Sequence, residues 1–453
     1  PGEKLILSYS DTNAKGEGIS PAYLIGSIRS LYSKLEIENS HYYPENPEAG
    51  IDLFLEKLVQ ETEKEHEDIL EQADETDAMF GELYSWYLRN PEYRSRVQKL
   101  VQSAFAGKPK DIISQSVAKA LYGEVSPYSA TRLERFAACA FAHFLQYGMK
   151  LTERVEYEFK PMDMGNVMHE ALESFAEEVR KRGMKWTELT EQERNEIADR
   201  CLDNIVADYG NTVLKSSARN EYMIERTRRI LRRTVWALQK QLEQGEFQPE
   251  GFEVTFGGGR IDRVDIMEDQ NKVYVKVIDY KTGNTSFDLV YLYHGLQLQL
   301  MIYLDGALRV EQKKYPDKEI IPAGVFYYNI KDPMIQEKID ADVEAVSAGL
   351  MKELKMNGLV QADPELVYRM DSSLGSIPVA FNKDGSFRKN SSVADRTQFA
   401  VLGRYVRTKI EKIRSSILEG DAEVSPYELG KKNACTYCPY MTVCGFDRRL
   451  SGY

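Results

Sequence analysis

Residues 275–283 read VKVIDYKTG, a run of β-branched residues that ends on an acid and a lysine with one tyrosine between them. Side chains alternate across a strand, so Asp279 and Lys281 share the face that carries Val275 and Val277. An apolar face that turns charged at its end is either leaving the core for water or entering a reactive site. Upstream, GRIDRVDIMEDQNKVYVKVIDYK places two β-patterned runs around Glu-Asp-Gln-Asn, whose polar turn chemistry predicts a hairpin. A turn centred between Gln270 and Asn271 sets Asp262 directly opposite Asp279, with Cβ atoms about 4.5–5.5 Å apart. Two carboxylates so placed repel unless a proton or a cation lies between them. A hard, oxygen-seeking divalent cation such as Mg²⁺ suits that position. Lys281, one pleat further on the same face, is placed to hold a phosphate oxygen or a nucleophilic water. The other reading of the same residues is a surface hairpin whose acids face water.

Two helices offer partners for these groups. In GNVMHEALESFAEEV, Met168, Ala171, Leu172, Phe175 and Val179 form an apolar stripe with His169 at its edge, either a structural histidine or a third metal ligand. In GLQLQLMIYLDGAL, Gln299 and Tyr303 stand four residues apart on one helix face, and core packing explains Tyr303 better than Gln299. The cysteines form a second constellation. Cys435, Cys438 and Cys444 give C-x₂-C-x₅-C, whereas a zinc site more often shows two C-x₂-C pairs. A fourth thiolate would have to come from Cys139 or Cys201. The run ERTRRILRRT sets Arg226, Arg228, Arg229, Arg232 and Arg233 on a helical pattern, which is a solvated face or a surface that meets phosphates.

The elements that must position these residues fall into two regions. Residues 1–122 are mostly helical in pattern, as in PAYLIGSIRSLY and FGELYSWYLRNPEYRSRVQKLVQSAFAG, separated by a strongly acidic stretch that reads as solvated helix or surface excursion. No G-x-x-x-x-G-K-[ST] loop occurs in the sequence. Residues 123–453 begin at punctuating Gly123 and Pro127, with Ser129 placed to cap the helix that leads to Cys139. Helices then run to about Gly245, a β-rich centre spans about Phe252 to Tyr280, and one helix is expected from about Tyr293 to Leu308. PAGVFYYNI reads as another strand, and TQFAVLGRYVRTKIEKIRSSILEG as an amphipathic helix. The three glycines at 257–259 mark a flexible hairpin or a gap in the sequence.

Composition narrows the class. With 453 residues, 42% hydrophobic and 29% charged, the chain is long enough for two or three domains and reads as globular rather than disordered. No apolar run approaches membrane-spanning length, and a cytoplasmic protein is expected. A net charge of −12 argues against indiscriminate nucleic-acid binding. Five cysteines without a secretory signal do not suggest a disulfide scaffold. The absence of an initiator methionine suggests a piece of something longer.

The order G-x-x-x-H, G-x-x-D-R-x-D, D-x-K and Q-x-x-x-Y, here Gly165 to His169, GRIDRVD, DYK and QLMIY, resembles the RecB-type nuclease family of the PD-(D/E)xK superfamily. The match spans roughly residues 124–447, and four ordered motifs are far more specific than any one. The resemblance implies an α/β, restriction-endonuclease-like mixed sheet flanked by helices. It implies catalytic metal, Mg²⁺, on His169, Asp262, Asp279 and the Tyr280 carbonyl, with Lys281 assisting the attacking water and Gln299 and Tyr303 supporting the site. The segment LERFAACAFAHF resembles the L-E-x-[FY]-x-x-C-P segment of the iron–sulfur branch, with Ala140 in place of proline. That branch takes one cysteine before the nuclease core and three after it, which implies a [4Fe–4S] cluster on Cys139, Cys435, Cys438 and Cys444, with zinc as the alternative. The helical N-terminal region followed by such a nuclease most resembles the C-terminal part of the AddB family of bacterial AddAB helicase–nucleases. The implied role is exonucleolytic processing of double-strand DNA ends for recombinational repair, on the strand running 5′ to 3′, beside an AddA-type subunit. A free-standing iron–sulfur exonuclease of the RecB family and an inert DNA-binding scaffold are the rival expectations.

Overall fold

The computed structural model of the protein describes residues 7–9, 20–32, 35, 47, 50–51, 54–55, 58, 75–104, 112–123, 129–152, 161–208, 217–257, 259–335, 343–430 and 432–446. Most of the acidic stretch after Leu58 lies outside them. Packing along the chain separates a unit ending at Gly107 from a larger unit, Lys108–Arg448. The first carries helices at Tyr23–Leu31, Glu75–Arg89 and Pro91–Ala104. The break between the last two falls at Asn90-Pro91, because proline suits the first turn of a helix and cannot continue one. Ile51, Phe54, Leu58, Tyr87 and Val97 make a small core of their own there.

The larger unit is built on six strands in spatial order, β1 (Gln248–Phe256), β2 (Gly259–Asp269), β3 (Lys272–Lys281), β4 (Glu319–Asn329), β5 (Asn357–Gln361) and β6 (Val393–Ala394). The first three form an antiparallel meander, β3 and β4 are parallel, β4 and β5 antiparallel, and β5 and β6 parallel. The mixed α/β sheet expected from sequence is present. Its longer helices in chain order are α1 (Gln115–Tyr122), α2 (Ala130–Ala138), α3 (Pro161–Lys181), α4 (Glu191–Asp208), α5 (Ala218–Glu243), α6 (Leu289–His294), α7 (Gln299–Lys314), α8 (Val343–Glu353), α9 (Pro364–Met370) and α10 (Arg396–Glu419). Helix α1 packs on α10, and Tyr122 joins the larger unit's core. Ser129 caps α2, its hydroxyl accepting from Arg132 N–H. Among the described residues no helix is long and apolar enough to cross a membrane.

The β2–β3 ladder runs from Arg263 opposite Ile278 to Asp269 opposite Lys272, which is the predicted register; one step beyond its end the same count sets Asp262 opposite Asp279. The glycine seam is a tight hairpin, since β1 and β2 stay paired up to Phe256 opposite Gly259; Gly258 itself lies outside the described residues. Strand β3 buries both faces. Tyr274, Ile278 and Tyr280 join the core made with α3, α4 and α5, while Val273, Val275 and Val277 join the core made with α7 and α10. Parallel strands need a crossover, and α6 and α7 lie within the one between β3 and β4. One helix is predicted over about Tyr293–Leu308; the chain forms two. Gly295 adopts φ of 83°, a left-handed cap that ends α6. Gln297 then holds the turn, accepting from Asp288 N–H at 3.0 Å and donating to the Ser286 carbonyl at 2.8 Å.

Candidate active site

Three carboxylates stand in a row across adjacent strands. Glu253 on β1 lies between the pairs Phe252–Arg263 and Val254–Ile261, hence across from Asp262 on β2, which in turn faces Asp279 on β3. Glu253 is a non-glycine residue at φ 49° within a strand, a conformation that costs energy and concentrates at functional sites. Asp262 Oδ2 accepts from Tyr280 N–H at 2.7 Å, just beyond the last ladder pair. Helices from both faces of the sheet reach this row. His169 of α3 sets Nδ1 3.4 Å from Asp262 Oδ2 and 3.9 Å from Glu253 Oε1. Lys281 Nζ lies 2.7 Å from Asp279 Oδ2 and donates to Gln299 Oε1 of α7 at 2.8 Å. Gln299 Nε2 then donates to the Tyr303 hydroxyl at 2.9 Å, so the glutamine that core packing left unexplained ties lysine to tyrosine.

The electrostatics follow from burial and crowding. Asp279 is only 1% exposed. Burial, and next the Asp262 charge, push its carboxyl up to about 7 against the pull of Lys281. Burial opposes a charge on His169, but the hydrogen bonds to Asp262 and Glu253 together with the Asp262 and Asp279 charges outweigh burial and push the imidazole up to about 10. Apart from the Lys281 ammonium, neither Asp279 oxygen has a polar partner. A buried acceptor in that condition is costly. His169, Glu253 and Asp262 offer ligand atoms all within 4.8 Å of one another. One imidazole and two carboxylates fit a hard divalent cation, while Asp279 lies outside that close group, beside Lys281. Tyr280 contributes a buried ring, edge-on to His169 at 6.1 Å and to Tyr328 at 6.0 Å.

The cysteine constellation is partly assembled. Cys139 follows the last residue of α2 and packs with Tyr440, and Cys438 packs against the same small cluster. The Arg135 guanidinium lies 4.0 Å from Cys438 Sγ. Cys435 N–H donates to Asn433 Oδ1 at 2.9 Å, and Cys444 Sγ lies 3.7 Å from the Met441 carbonyl. No disulfide uses any of the five cysteines. Cys201 sits apart, buried in the core with α3 and α5, and burial pushes its thiol up. Four sulfurs fit a cluster only if Cys139 meets the C-terminal trio; of that trio, Cys438 packs in the same small cluster as Cys139.

The arginine run of α5 is largely engaged with acids. Arg228 pairs with Asp199, Asp203 and Glu225, and Arg232 with Asp199. Arg229 Nε lies 2.5 Å from Asp332, and Arg233 Nε 3.8 Å from the same carboxylate. Arg226 is exposed. Sequence reading missed Glu253, although the counting that sets Asp262 against Asp279, applied to the glycine turn, sets Glu253 against Asp262. It also missed Glu134 of α2, whose Oε1 accepts from Leu298 N–H at 2.7 Å and Gln299 N–H at 2.9 Å. No local pattern announces that contact.

Comparison with known proteins gives the site its relatives. The sequence profile of the PD-(D/E)XK nuclease superfamily matches residues 127–445. The chain is 39% identical to the B subunit of the ATP-dependent helicase/deoxyribonuclease of Lachnoclostridium phytofermentans, over 100% of this chain and 40% of that protein. It is 33% identical to the protein of the same name from Alkaliphilus metalliredigens, over 99% of this chain and 41% of that one. The corresponding protein of Clostridium novyi is also 33% identical, over 98% and 41%. The chain thus spans about 40% of the length of these relatives.

Proposed function

We propose that this chain, which belongs to the PD-(D/E)XK nuclease superfamily, is a deoxyribonuclease that hydrolyses phosphodiester bonds with Mg²⁺ held by His169, Asp262, Asp279 and the Tyr280 carbonyl, Glu253 adjoining. The observation that carries this reading is the Asp279 carboxylate, buried, met by the Lys281 ammonium and lined up with two further acids. A divalent ion bound there supplies Lewis acidity to a phosphoryl oxygen and acidifies a coordinated water.

The chain's own residues do the rest. Lys281, held between Asp279 and Gln299, presents its ammonium where a scissile phosphate or an attacking water would need a donor. Tyr303 keeps Gln299 oriented, and Gln299 keeps Lys281 from swinging toward solvent. Asp262, fixed by Tyr280 N–H, cannot rotate away from the site. The intact His169, Asp262, Asp279 and Lys281 set disfavours an inert scaffold.

The setting is a helicase–nuclease complex, since the similar proteins are named as B subunits of a helicase/deoxyribonuclease. In it this chain acts as an exonuclease on the 5′ to 3′ strand at double-strand DNA ends, in the cytoplasm, bound to an AddA-type subunit. Residues 1–122 are read as the end of a helicase-like region and 123–453 as the nuclease, with the helix Gln115–Tyr122 packing on the nuclease side of that boundary. A [4Fe–4S] cluster on Cys139, Cys435, Cys438 and Cys444 ties the nuclease domain's two ends together, a reading supported by the packing of Cys139 with Tyr440 and Cys438. Of Arg226, Arg229 and Arg233, the exposed Arg226 is assigned to DNA phosphates, while Arg229 and Arg233 would have to leave Asp332 to reach them. The test is cleavage of end-labelled single-stranded DNA by the full-length protein. Activity should vanish in EDTA and return with Mg²⁺; undiminished cleavage in EDTA excludes the reading.

A further inference from the structure

Helix α7 begins without a local cap. Leu298 occupies the cap position with φ of −88° and ψ of −21° and makes no side-chain cap hydrogen bond. The first backbone N–H groups of a helix have no partner within it, and the positive end of its dipole favours an acceptor carrying negative charge. Here the acceptor arrives from a helix 164 residues earlier. Glu134 Oε1 takes both the Leu298 N–H, at 2.7 Å, and the Gln299 N–H, at 2.9 Å. Gln299 is the first residue of α7, and its side chain receives the Lys281 ammonium at 2.8 Å. Lys281 in turn lies 2.7 Å from Asp279. One unbroken chain of contacts therefore runs from α2 to the reacting groups.

We propose that Glu134 is a positioning residue for the cleavage reaction, capping α7 from outside and thereby fixing Gln299 and the Lys281 ammonium beside Asp279. This rests on the nuclease reading of the site. Glu134 is partly buried, and burial raises its carboxyl to about 7 against the two N–H bonds that pull it down. The cap is thus an acceptor whose geometry matters more than its charge, because a neutral carboxyl or carboxamide keeps a carbonyl oxygen for the same two donors. Glu134 and Cys139 also share one helix and its end. Whatever anchors Cys139 consequently also sets the register of the cap.

The test uses the full-length protein, Mg²⁺ and single-stranded DNA. Glu134→Ala should lower kcat about tenfold or more with KM for DNA within about twofold. Glu134→Gln should stay within about threefold of wild type, whereas Glu134→Asp, too short to reach the two N–H groups, should behave like alanine. In a Gln299→Ala background, Glu134→Ala should cost less than about twofold more, because both changes cut the same chain. An active Glu134→Asp beside an inactive Glu134→Gln would overturn the proposal, as would full additivity with Gln299→Ala. If Glu134→Ala does not fold, the Asp and Gln pair decides. A wild type inert with Mg²⁺ overturns the nuclease reading itself, which separates the two failures.

Discussion

Replacing Asp279 by asparagine should stabilise the metal-free protein while destroying its activity. Burial and the facing Asp262 raise the Asp279 carboxyl from 3.8 to about 7. Each unit corresponds to about 1.36 kcal/mol, so ionising this group within the fold costs on the order of 4 kcal/mol above neutral pH. The sign follows from proton binding. Between about 3.8 and 7 the folded state holds the proton that the unfolded state has lost, so wild-type stability falls as pH rises through that window. Asparagine fills nearly the same volume and carries no charge, so that part of the slope disappears. Lys281 loses its carboxylate partner, but its side chain is 29% exposed and keeps Gln299, which limits the offset. Urea unfolding of EDTA-treated protein at pH 4.5, 6 and 8 is the assay. The variant should gain about 2–4 kcal/mol at pH 8 and only about 1 kcal/mol at pH 4.5. Adding Mg²⁺ should narrow the gap at pH 8, since ligand stabilisation accrues mainly to the protein that binds it. A variant less stable than wild type at pH 8, or a gap that does not grow between pH 4.5 and 8, would refute the electrostatic reasoning.

Other outcomes follow from the same geometry. Lys281→Ala should lower kcat about 100-fold or more while Mn²⁺ affinity, measured calorimetrically, stays within about threefold; a loss of metal binding would make Lys281 structural. Cys438→Ala should lose iron, sulfide and the brown colour on anaerobic purification and melt at lower temperature, whereas Cys201→Ser should keep its iron; stoichiometric zinc without sulfide would replace the cluster with a zinc site. His143 is fully buried, accepts from Arg132 Nε at 3.2 Å, and is held down to about 3 by burial first and by Arg132 and Arg135 next. Because the unfolded chain takes up that proton first, stability should fall as pH drops from about 6.5 toward 3, and His143→Gln should flatten that part of the thermal-melting profile; an unchanged profile would count against it.

Sequence made the centre of the site legible because two rules of short range operate there. Period-2 alternation and a polar turn determine the β2–β3 register, and the register puts Asp262 against Asp279 without knowledge of anything else in the chain. The stripe that buries Met168, Ala171, Leu172, Phe175 and Val179 likewise places His169 at its margin. The break between α6 and α7 was hidden because apolar periodicity runs through Gly295, and only its left-handed conformation reveals the stop. Glu253 was hidden by a turn made of three glycines, which gives little composition from which to judge pairing. The α5 arginines looked available because their partners, Asp199, Asp203 and Asp332, lie on another helix or roughly a hundred residues away. Glu134 belongs to the same class, since its role exists only once α2 meets the start of α7.

The most direct test of the site is DNA cleavage by Asp279→Ala in the full-length protein, assembled with an AddA-type subunit whose own nuclease has been disabled. End-labelled duplex DNA, Mg²⁺ and ATP should give degradation of the 5′ to 3′ strand by the wild type and none above background by the variant, with both proteins equally folded by circular dichroism. Cleavage at the wild-type rate by Asp279→Ala would contradict the assignment of Asp262, Asp279 and Lys281 as the reactive centre.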